Sequence, residues 1–412
     1  MPDVILHSDL NCFYAAVEMN EDPKLYGKAV AVCGSTENRH GIVLAKSYPA
    51  KARGVQTGMA NWQAKALCPD LICVEPHYEK YLQYSAAVRS IYRRYSDDIE
   101  PFGMDENWIS IPGLRGGETE GEKIANEIRM SVRAEMGLTV SVGVSFSKLF
   151  AKLGSDMKKP DAVTVIRREN FRELIWPLDA GELLYVGRAT QRRLRRINVN
   201  TIGDLARCDV SVLQAQLGKN GVMLHSFANG SDGTRVMPGD YVFPVKSIGH
   251  GTTCVQDLDD EYQVWLVLYE LSQDVNHRLR AARLLARGVS VFVRDRDLGW
   301  QEYQMKLRHP TRSPLEIAQA GFFLFRARYL WQKPVRALTI RAIDPVPDGG
   351  AVQTDLFDDH TRRLRRQTLD DAVDEVRRRF GTKAVLAASL LADTKMATDR
   401  CETVPMPPPM FR

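Results

Sequence analysis

The chain opens with an unbroken apolar run and then switches to helical spacing. Residues 4–8, VILHS, read as a short buried strand ending at Asp9, and FYAAVEMN after it repeats apolar positions as a helix packing one face does. The backbone therefore turns from strand to helix just past Asp9. KAVAVCG and GIVLAKS are further apolar strands, and YPAKARGV begins with a Tyr-Pro pair that favours a turn before a helix. HYEKYLQYSAAVRSIYRRYS is a long amphipathic helix. In IEPFGMDENWISI apolar residues flank a Gly-Met-Asp-Glu centre, which predicts two strand segments around a tight turn. TEGEKIANEIRMSVRAEMG is a helix closed by Gly137, and LTVSVGVSF is a strand. Strands and helices alternate to about residue 165, an α/β or α+β plan.

Between Phe171 and Gly233 the pattern changes to short helices with glycine-bearing turns, a small helical domain. After Pro238-Gly239 it changes again. An initial strand near Tyr241–Val245, a long helix (EYQVWLVLYELSQDVNHRLRAARLLA), strands in GVSVFVRD and EYQMKLR, a second helix (PLEIAQAGFFLFRARYLW) and the strand VRALTIRAI make a β-α-β-β-α-β unit. The remaining residues hold a PVPDGG linker, a QTDLF segment and one basic amphipathic helix around Thr361–Phe380.

At 412 residues the chain exceeds one ordinary core and predicts about two to four domains. Its net charge of +5 is modest, but the distribution is more telling: residues 167–235 carry 11 basic against 7 acidic residues, and 241–344 carry 15 against 11. A phosphate backbone is drawn to such a surface, although an ordinary solvated one has the same composition. The seven cysteines are scattered and form no CxxC pair, which argues against zinc and a disulfide framework. No apolar run reaches the ~20 residues of a membrane span or resembles a signal peptide, so a reduced cytoplasmic protein is expected.

The carboxylates give the chain its chemistry. Phosphoryl transfer to a hydroxyl needs two divalent ions about 3.5–4 Å apart, held by hard oxygen ligands. Asp9 stands at a strand end and Asp105-Glu106 at a turn. Neighbours within a regular strand point to opposite faces, so a pair that shares metals has to sit at a bend. Singly, each carboxylate is an ordinary cap or turn residue.

The local sequences are more specific. SDLNCFYAAVE, SYPAKARGVQTGM, EPFGMDENWISI and SVGVSFSKLFAKLGSDMKKP stand in the order and spacing of the Y-family translesion DNA polymerases, and the chain resembles the bacterial polymerase IV group from about residue 4 to about residue 380. The resemblance implies an α+β multidomain right-hand polymerase: a palm (1–11 and 76–165), fingers (12–75), a helical thumb (166–235), the β-α-β-β-α-β little finger (241–345) and a tail (346–412). It implies a low-fidelity, lesion-bypass enzyme in which Asp9, Asp105 and Glu106 are catalytic and, with the Leu10 backbone, bind two Mg²⁺, Mn²⁺ serving as a substitute.

The same resemblance assigns Tyr48, Lys51 and Lys159 to the triphosphate, with backbone N–H groups of Cys12 and Phe13 at the helix start. Tyr14, five residues past Asp9, would lie beneath the sugar and exclude ribonucleotides, and Ile42, Leu44 and Gly58 would cover the nascent base pair. YVGRATQRRLRRINVNTIGDL resembles a helix-hairpin-helix whose amides around Val186 and Gly187 meet a DNA phosphate. In GVSVFVRDR, Ser290, Phe292 and Arg294 share one face suited to a groove, and LTIRAI offers Arg341 similarly. Gln353, Leu356 and Phe357 resemble the peptide by which bacterial polymerases dock on the sliding clamp. The partners expected are primer-template DNA, a dNTP and the clamp, with the polymerase a monomer.

Departures from the family pattern are also legible. Asn11 replaces a common second Asp, Lys51 a common Arg, and Leu44 a smaller residue, while Gly103-Met104 replace Ser-Ile and are expected to loosen the turn before Asp105. Two rivals are a non-catalytic clamp- and DNA-binding adaptor of the same fold and a palm-type nucleotidyl cyclase. The intact carboxylates and phosphate lysines oppose the first, and the thumb-like and little-finger-like regions oppose the second.

Overall fold

The computed structural model describes residues 4–349 and 360–396. These divide into two compact units, one of residues 4–34 and 42–243 and the other of residues 35–41 and 244–396. In chain order the first contains β1 (Val4–Leu10), α1 (Phe13–Glu21), β2 (Val30–Cys33), β3 (Val43–Lys46), α2 (Tyr48–Ala52), α3 (Asn61–Leu67), β4 (Ile72–Val74), α4 (Tyr78–Tyr92), β5 (Ile99–Pro101), β6 (Glu106–Ile111), α5 (Gly117–Met136), β7 (Val140–Ser145), α6 (Lys148–Met157) and β8 (Val163–Ile166). Five short helices follow: α7 (Phe171–Ile175), α8 (Arg188–Arg196), α9 (Ile202–Arg207), α10 (Val210–Leu217) and α11 (Lys219–Ala228).

Five strands form one sheet in the order β5-β6-β1-β7-β8, with β1 central and antiparallel to both neighbours. All seven residues of β1 are buried, because both faces of the sheet are covered. On one face Leu6, Leu10, Ile109, Val140 and Val142 pack with Phe13, Val17, Tyr81, Val88, Ile91, Ile128 and Val132 from α1, α4 and α5. The other face carries Ile5, Trp108 and Ala151 of α6. A second, three-stranded sheet has the order β3-β2-β4.

Helix α6 approaches its sheet closely. A Cβ on Gly143 of β7 would fall onto the Ala151 carbonyl oxygen and 2.6 Å from the Ser155 nitrogen, so only glycine lets this helix lie so near the strand. Lys148, at the helix start, is nearly buried. Its ammonium lies 2.6 Å from Glu100 Oε2, and its carbonyl accepts from Trp108 Nε1 at 3.0 Å. The five short helices enclose their own core, in which Phe171, Ile175, Ile202, Leu205, Leu213 and Leu224 join Phe150 and Leu153 of α6.

The second unit contains β9 (Ser247–Leu258), α12 (Glu261–Ala281), β10 (Leu284–Asp295), β11 (Trp300–Thr311), α13 (Pro314–Arg328), β12 (Val335–Ile343), β13 (Val346–Pro347) and α14 (His360–Phe380). Its sheet has the order β11-β10-β12-β9, with α12 and α13 packed through Val264, Val267, Leu271, Ile317 and Phe325 against Val289, Val291, Leu338 and Ile340. This is the β-α-β-β-α-β order that the pattern predicts, with shifted boundaries. No strand forms at 241–245, where Pro244 has no N–H to donate, and β9 begins instead at Ser247. The long helix ends at Ala281, because Arg283 takes a positive φ of 52° and Leu284-Leu285-Ala286 join β10. Helix α14 is held to its unit by Asp374, which meets His277 Nδ1 at 2.8 Å and also Arg280, and by Asp371, 2.8 Å from Arg312.

Replacing Gly143 by Ala is expected to destabilise the protein by about 1–3 kcal/mol, the usual cost of overpacking. A lowered urea midpoint with an unchanged slope is the measurement that checks it.

Candidate active site

Asp9 and Glu106 are direct partners in the antiparallel pairing of β1 with β6, so their side chains rise from the same face of the sheet. Asp105 precedes the first residue of β6, at the bend, and its carbonyl accepts from the Leu10 amide at 3.0 Å. The bend is what lets two consecutive acidic residues lie beside Asp9, as the sequence requires.

Gly103 takes a φ of 102°, which L side chains rarely adopt, so glycine suits this turn. Met104 after it is fully buried, and its carbonyl accepts from Ser85 Oγ at 2.5 Å. The turn is thus anchored, contrary to the expectation that Gly103-Met104 would loosen it.

Helix α6 and the residues just after it bring cations to the carboxylates. Lys152 Nζ lies 2.7 Å from Glu106 Oε2, and Lys159 Nζ lies 2.8 Å from Asp9 Oδ2 and 2.8 Å from Asp156 Oδ1. His7, on the same face of β1 as Asp9, shares a hydrogen bond of 2.8 Å with Ser155 and places Nε2 3.4 Å from Glu106. The His7 imidazole is fully buried, which lowers its pKa and keeps it neutral. Burial pushes the Asp9 carboxyl up to about 7; Lys159 opposes this, and Glu106 adds to it. Burial, then Glu106, push Asp105 up to about 6. Burial also works against the charge of Glu106, but hydrogen bonding to His7 and the Lys152 ammonium hold its carboxyl below the usual range. A neutral His7 contributes no charge, which leaves Lys152 as the cation that keeps Glu106 ionised.

The donor set fits a divalent cation. Asp9, Asp105 and Glu106 are hard oxygen ligands, and burial leaves the first two poorly stabilised as anions, which a bound cation would correct. Among the described residues no three acidic, histidine or cysteine side chains converge as a finished metal cage. Asp9 and Glu106 are turned onto Lys159 and Lys152 instead.

Around the start of α1 the predicted nucleotide residues come together. Cys12 takes a left-handed conformation (φ 44°, ψ 41°) and no side chain caps the helix, so the first-turn amides are available to an anion. Burial pushes the Cys12 thiol up to about 11, against the opposing charges of Lys46 and Lys51, which places both lysines near it. Tyr48 lies beneath the Lys51 ammonium, 5.7 Å from its ring centroid. The Tyr48 hydroxyl is pushed up to about 12 by burial, with Cys12, Lys159 and Asp9 as its titratable neighbours.

Tyr14 stacks on Tyr81 with centroids 4.2 Å apart and planes at 10°. Tyr81 is buried and donates to Glu18 Oε1 at 2.5 Å, so the ring behind Tyr14 is fixed. Ile42 bridges to Ala60 and is 44% exposed, the Gly58 amide donates to Val43 O at 2.8 Å, and Leu44 follows on β3. These three predicted cover residues are therefore neighbours.

Lys152, Lys46, His7 and Tyr81 are not singled out by the sequence reading. Lys152 had a signal: it lies in the same SKLFAKLGSDMKKP segment as Lys159, one helical turn after Lys148. Lys46 likewise lies two residues from Leu44 on the same strand face. Tyr81 had none, because its role depends on the crossing of α4 and α1.

Elsewhere in the first unit, Gly187 caps α8 without a side-chain partner, and space around it is open. Val186 is buried in the helical core and its amide already donates to the Leu183 carbonyl at 3.0 Å. In the second unit, Ser290 pairs with Arg341 across β10 and β12. Ser290 is buried with its hydroxyl given to Glu302 at 2.6 Å, whereas Phe292 stacks on the exposed Trp300 and Arg294 is exposed. Gln353, Leu356 and Phe357 lie outside the described residues.

Residues 8–156 match the impB/mucB/samB family, 245–356 that family's C-terminal domain, and 183–232 the thumb domain of DNA polymerase-iota. The chain is 47% identical over 393 residues to DNA polymerase IV of Acetivibrio thermocellus, covering 95% of this chain and 98% of the relative. This chain belongs to the Y-family DNA polymerases, of the bacterial polymerase IV type. DNA polymerase IV 1 of Bacillus subtilis is 34% identical over 397 residues, 96% of this chain and 95% of that one. In fold, a solved Y-family DNA polymerase chimera superposes with a TM-score of 0.75 at 22% identity, covering 84% of this chain and all of the chimera.

Replacing Gly103 by Ala in this Y-family chain is expected to cost about 1–3 kcal/mol of backbone strain and to displace Asp105. Urea unfolding and primer extension, measured on the same preparation, check the two effects.

Proposed function

We propose that Asp9, Asp105 and Glu106 form the catalytic centre of this DNA-directed DNA polymerase, which carries out low-fidelity lesion-bypass synthesis. The observation that carries the reading is the facing of Asp9 and Glu106 across β1 and β6, with Asp105 at the adjoining bend. Polymerases of this family depend on divalent metal. Two Mg²⁺, held by the three carboxylates and the Leu10 carbonyl, would activate the primer 3′-oxygen and neutralise the triphosphate, with Mn²⁺ as a substitute.

The chain's own residues do the positioning. Lys51, Lys159, the Tyr48 hydroxyl and the amides at the start of α1 bind the β and γ phosphates, so that the α-phosphate faces the primer end. Lys51 acts as a point charge where an Arg would form a planar fork. Tyr14, backed by Tyr81, closes the space that a 2′-hydroxyl would need. Ile42, Leu44 and Gly58 cover the nascent pair.

In this reading residues 1–11 and 76–165 are the palm, 12–75 the fingers, 166–235 the thumb and 241–345 the little finger. The backbone at Val186 and Gly187 meets a DNA phosphate, and the face bearing Phe292, Arg294 and Arg341 follows the duplex by shape and charge. Gln353, Leu356 and Phe357 dock on the sliding clamp, which raises the local concentration of a monomeric, cytoplasmic polymerase at the primer end. No described helix is long and apolar enough to cross a membrane.

Glu106→Ala is expected to abolish primer extension while DNA affinity stays within about twofold, because Glu106 touches metal and not DNA. Retained extension would sink the assignment. Tyr14→Ala is expected to admit ribonucleotides, raising their incorporation relative to deoxynucleotides by roughly a hundredfold or more. Single-nucleotide incorporation kinetics with each sugar measure this, and unchanged selectivity removes Tyr14 from the role.

A further inference from the structure

We propose that Lys159 is an exchangeable counter-ion of Asp9: the phosphates of an incoming nucleotide draw it away, and Asp9 is thereby released to bind a divalent cation. The inference rests on the reading of Asp9 as a metal ligand and Lys159 as a phosphate ligand. Lys159 Nζ lies 2.8 Å from Asp9 Oδ2, so a cation that takes this oxygen has to displace the ammonium.

The two lysines of the site are not equivalent. Lys152 projects from the middle of α6, its side chain is 14% exposed, and it lies beneath Glu106. Lys159 stands two residues beyond the last residue of α6 and is 25% exposed. The first is held within a helix beneath Glu106, whereas the second lies outside the helix and is the more exposed to solvent.

Asp156 gives the movement a pivot, because Lys159 also bonds Asp156 Oδ1 at 2.8 Å. An ammonium has three donors, so the Asp156 bond can persist while the Asp9 bond is traded for a phosphate oxygen. Once Lys159 has moved, Asp9 Oδ2 has lost its ammonium partner beside Glu106 and Asp105, and a divalent cation takes that place. Metal and nucleotide then favour each other's binding, and the coupling is reciprocal.

The test is Mn²⁺ binding by calorimetry to the full chain, first with Mn²⁺ alone and then with a non-hydrolysable deoxynucleoside triphosphate. Lys159→Gln is expected to bind Mn²⁺ alone roughly three- to tenfold more tightly than wild type and to show a smaller gain on adding nucleotide. Lys159→Arg, which keeps the charge beside Asp9, is expected to match wild type. Equal or weaker Mn²⁺ binding by Lys159→Gln overturns the exchange, as does an increase in Lys159→Arg as large as that in Lys159→Gln. Asp9→Asn is expected to lose the site; if it binds Mn²⁺ as wild type does, Asp9 is not a metal ligand and the reading beneath the proposal fails.

Discussion

The site depends on one close approach, that of the α6 backbone to Gly143 on β7. Three carboxylates at the end of a sheet with both faces covered are costly as anions, since burial disfavours the charged form. Lys152 and Lys159 offset this cost only if α6 lies near enough for their ammonium groups to reach Glu106 and Asp9. Gly143 permits that distance, and the buried Lys148–Glu100 pair holds the start of the same helix. Strand register, helix position and ionisation are therefore one constraint. Moving the helix outward would leave Glu106 beside only a neutral histidine.

The fixed and mobile parts of the site follow from the same packing. Glu18, Tyr81 and Tyr14 form a chain in which a buried carboxylate holds a phenol and the phenol ring supports a second ring. A lone exposed tyrosine would change rotamer freely and could not discriminate a single hydroxyl group; a stacked one loses that freedom on folding. Steric selection in the proposed reading is thus a property of α4 as much as of Tyr14. The phosphate side is built differently, from a helix start and lysines on flexible stems that can follow a ligand as it arrives.

The sequence was legible where one segment sufficed to make the argument. Strand β1, the hairpin around Asp105-Glu106, helix α5 with Gly137 behind it, and strand β12 follow from local period and turn chemistry alone. Boundaries failed where local and tertiary demands differ. LLARGVSVFVRD has helix-compatible residues at its start, yet Leu284 and Leu285 pair with β13 and Ala286 with Thr311 of β11. Gly103 looked permissive in the sequence, and only its φ shows that the turn favours glycine. Tyr81 acts across elements far apart in the chain, so no local pattern marks it.

The second unit shows how far charge can be read from composition. Its open sheet face carries Arg294 and Arg341, yet Glu302 lies 3.7 Å from Arg341 and takes the Ser290 hydroxyl. Part of the basic excess counted along the chain is thereby neutralised within the protein. Gly249 and Gly251, partners of Arg341 and Thr339 on β9, leave the adjoining surface without side chains. Such a face offers shape, a Phe292–Trp300 stack, the exposed Arg294 and a partly neutralised Arg341. Contact energy between surfaces of this kind is limited, because an arginine already paired gains less from a phosphate than a free one. A polymerase that holds DNA through such a face would depend on its other attachments to remain at a primer end, which gives the proposed clamp peptide its physical rationale.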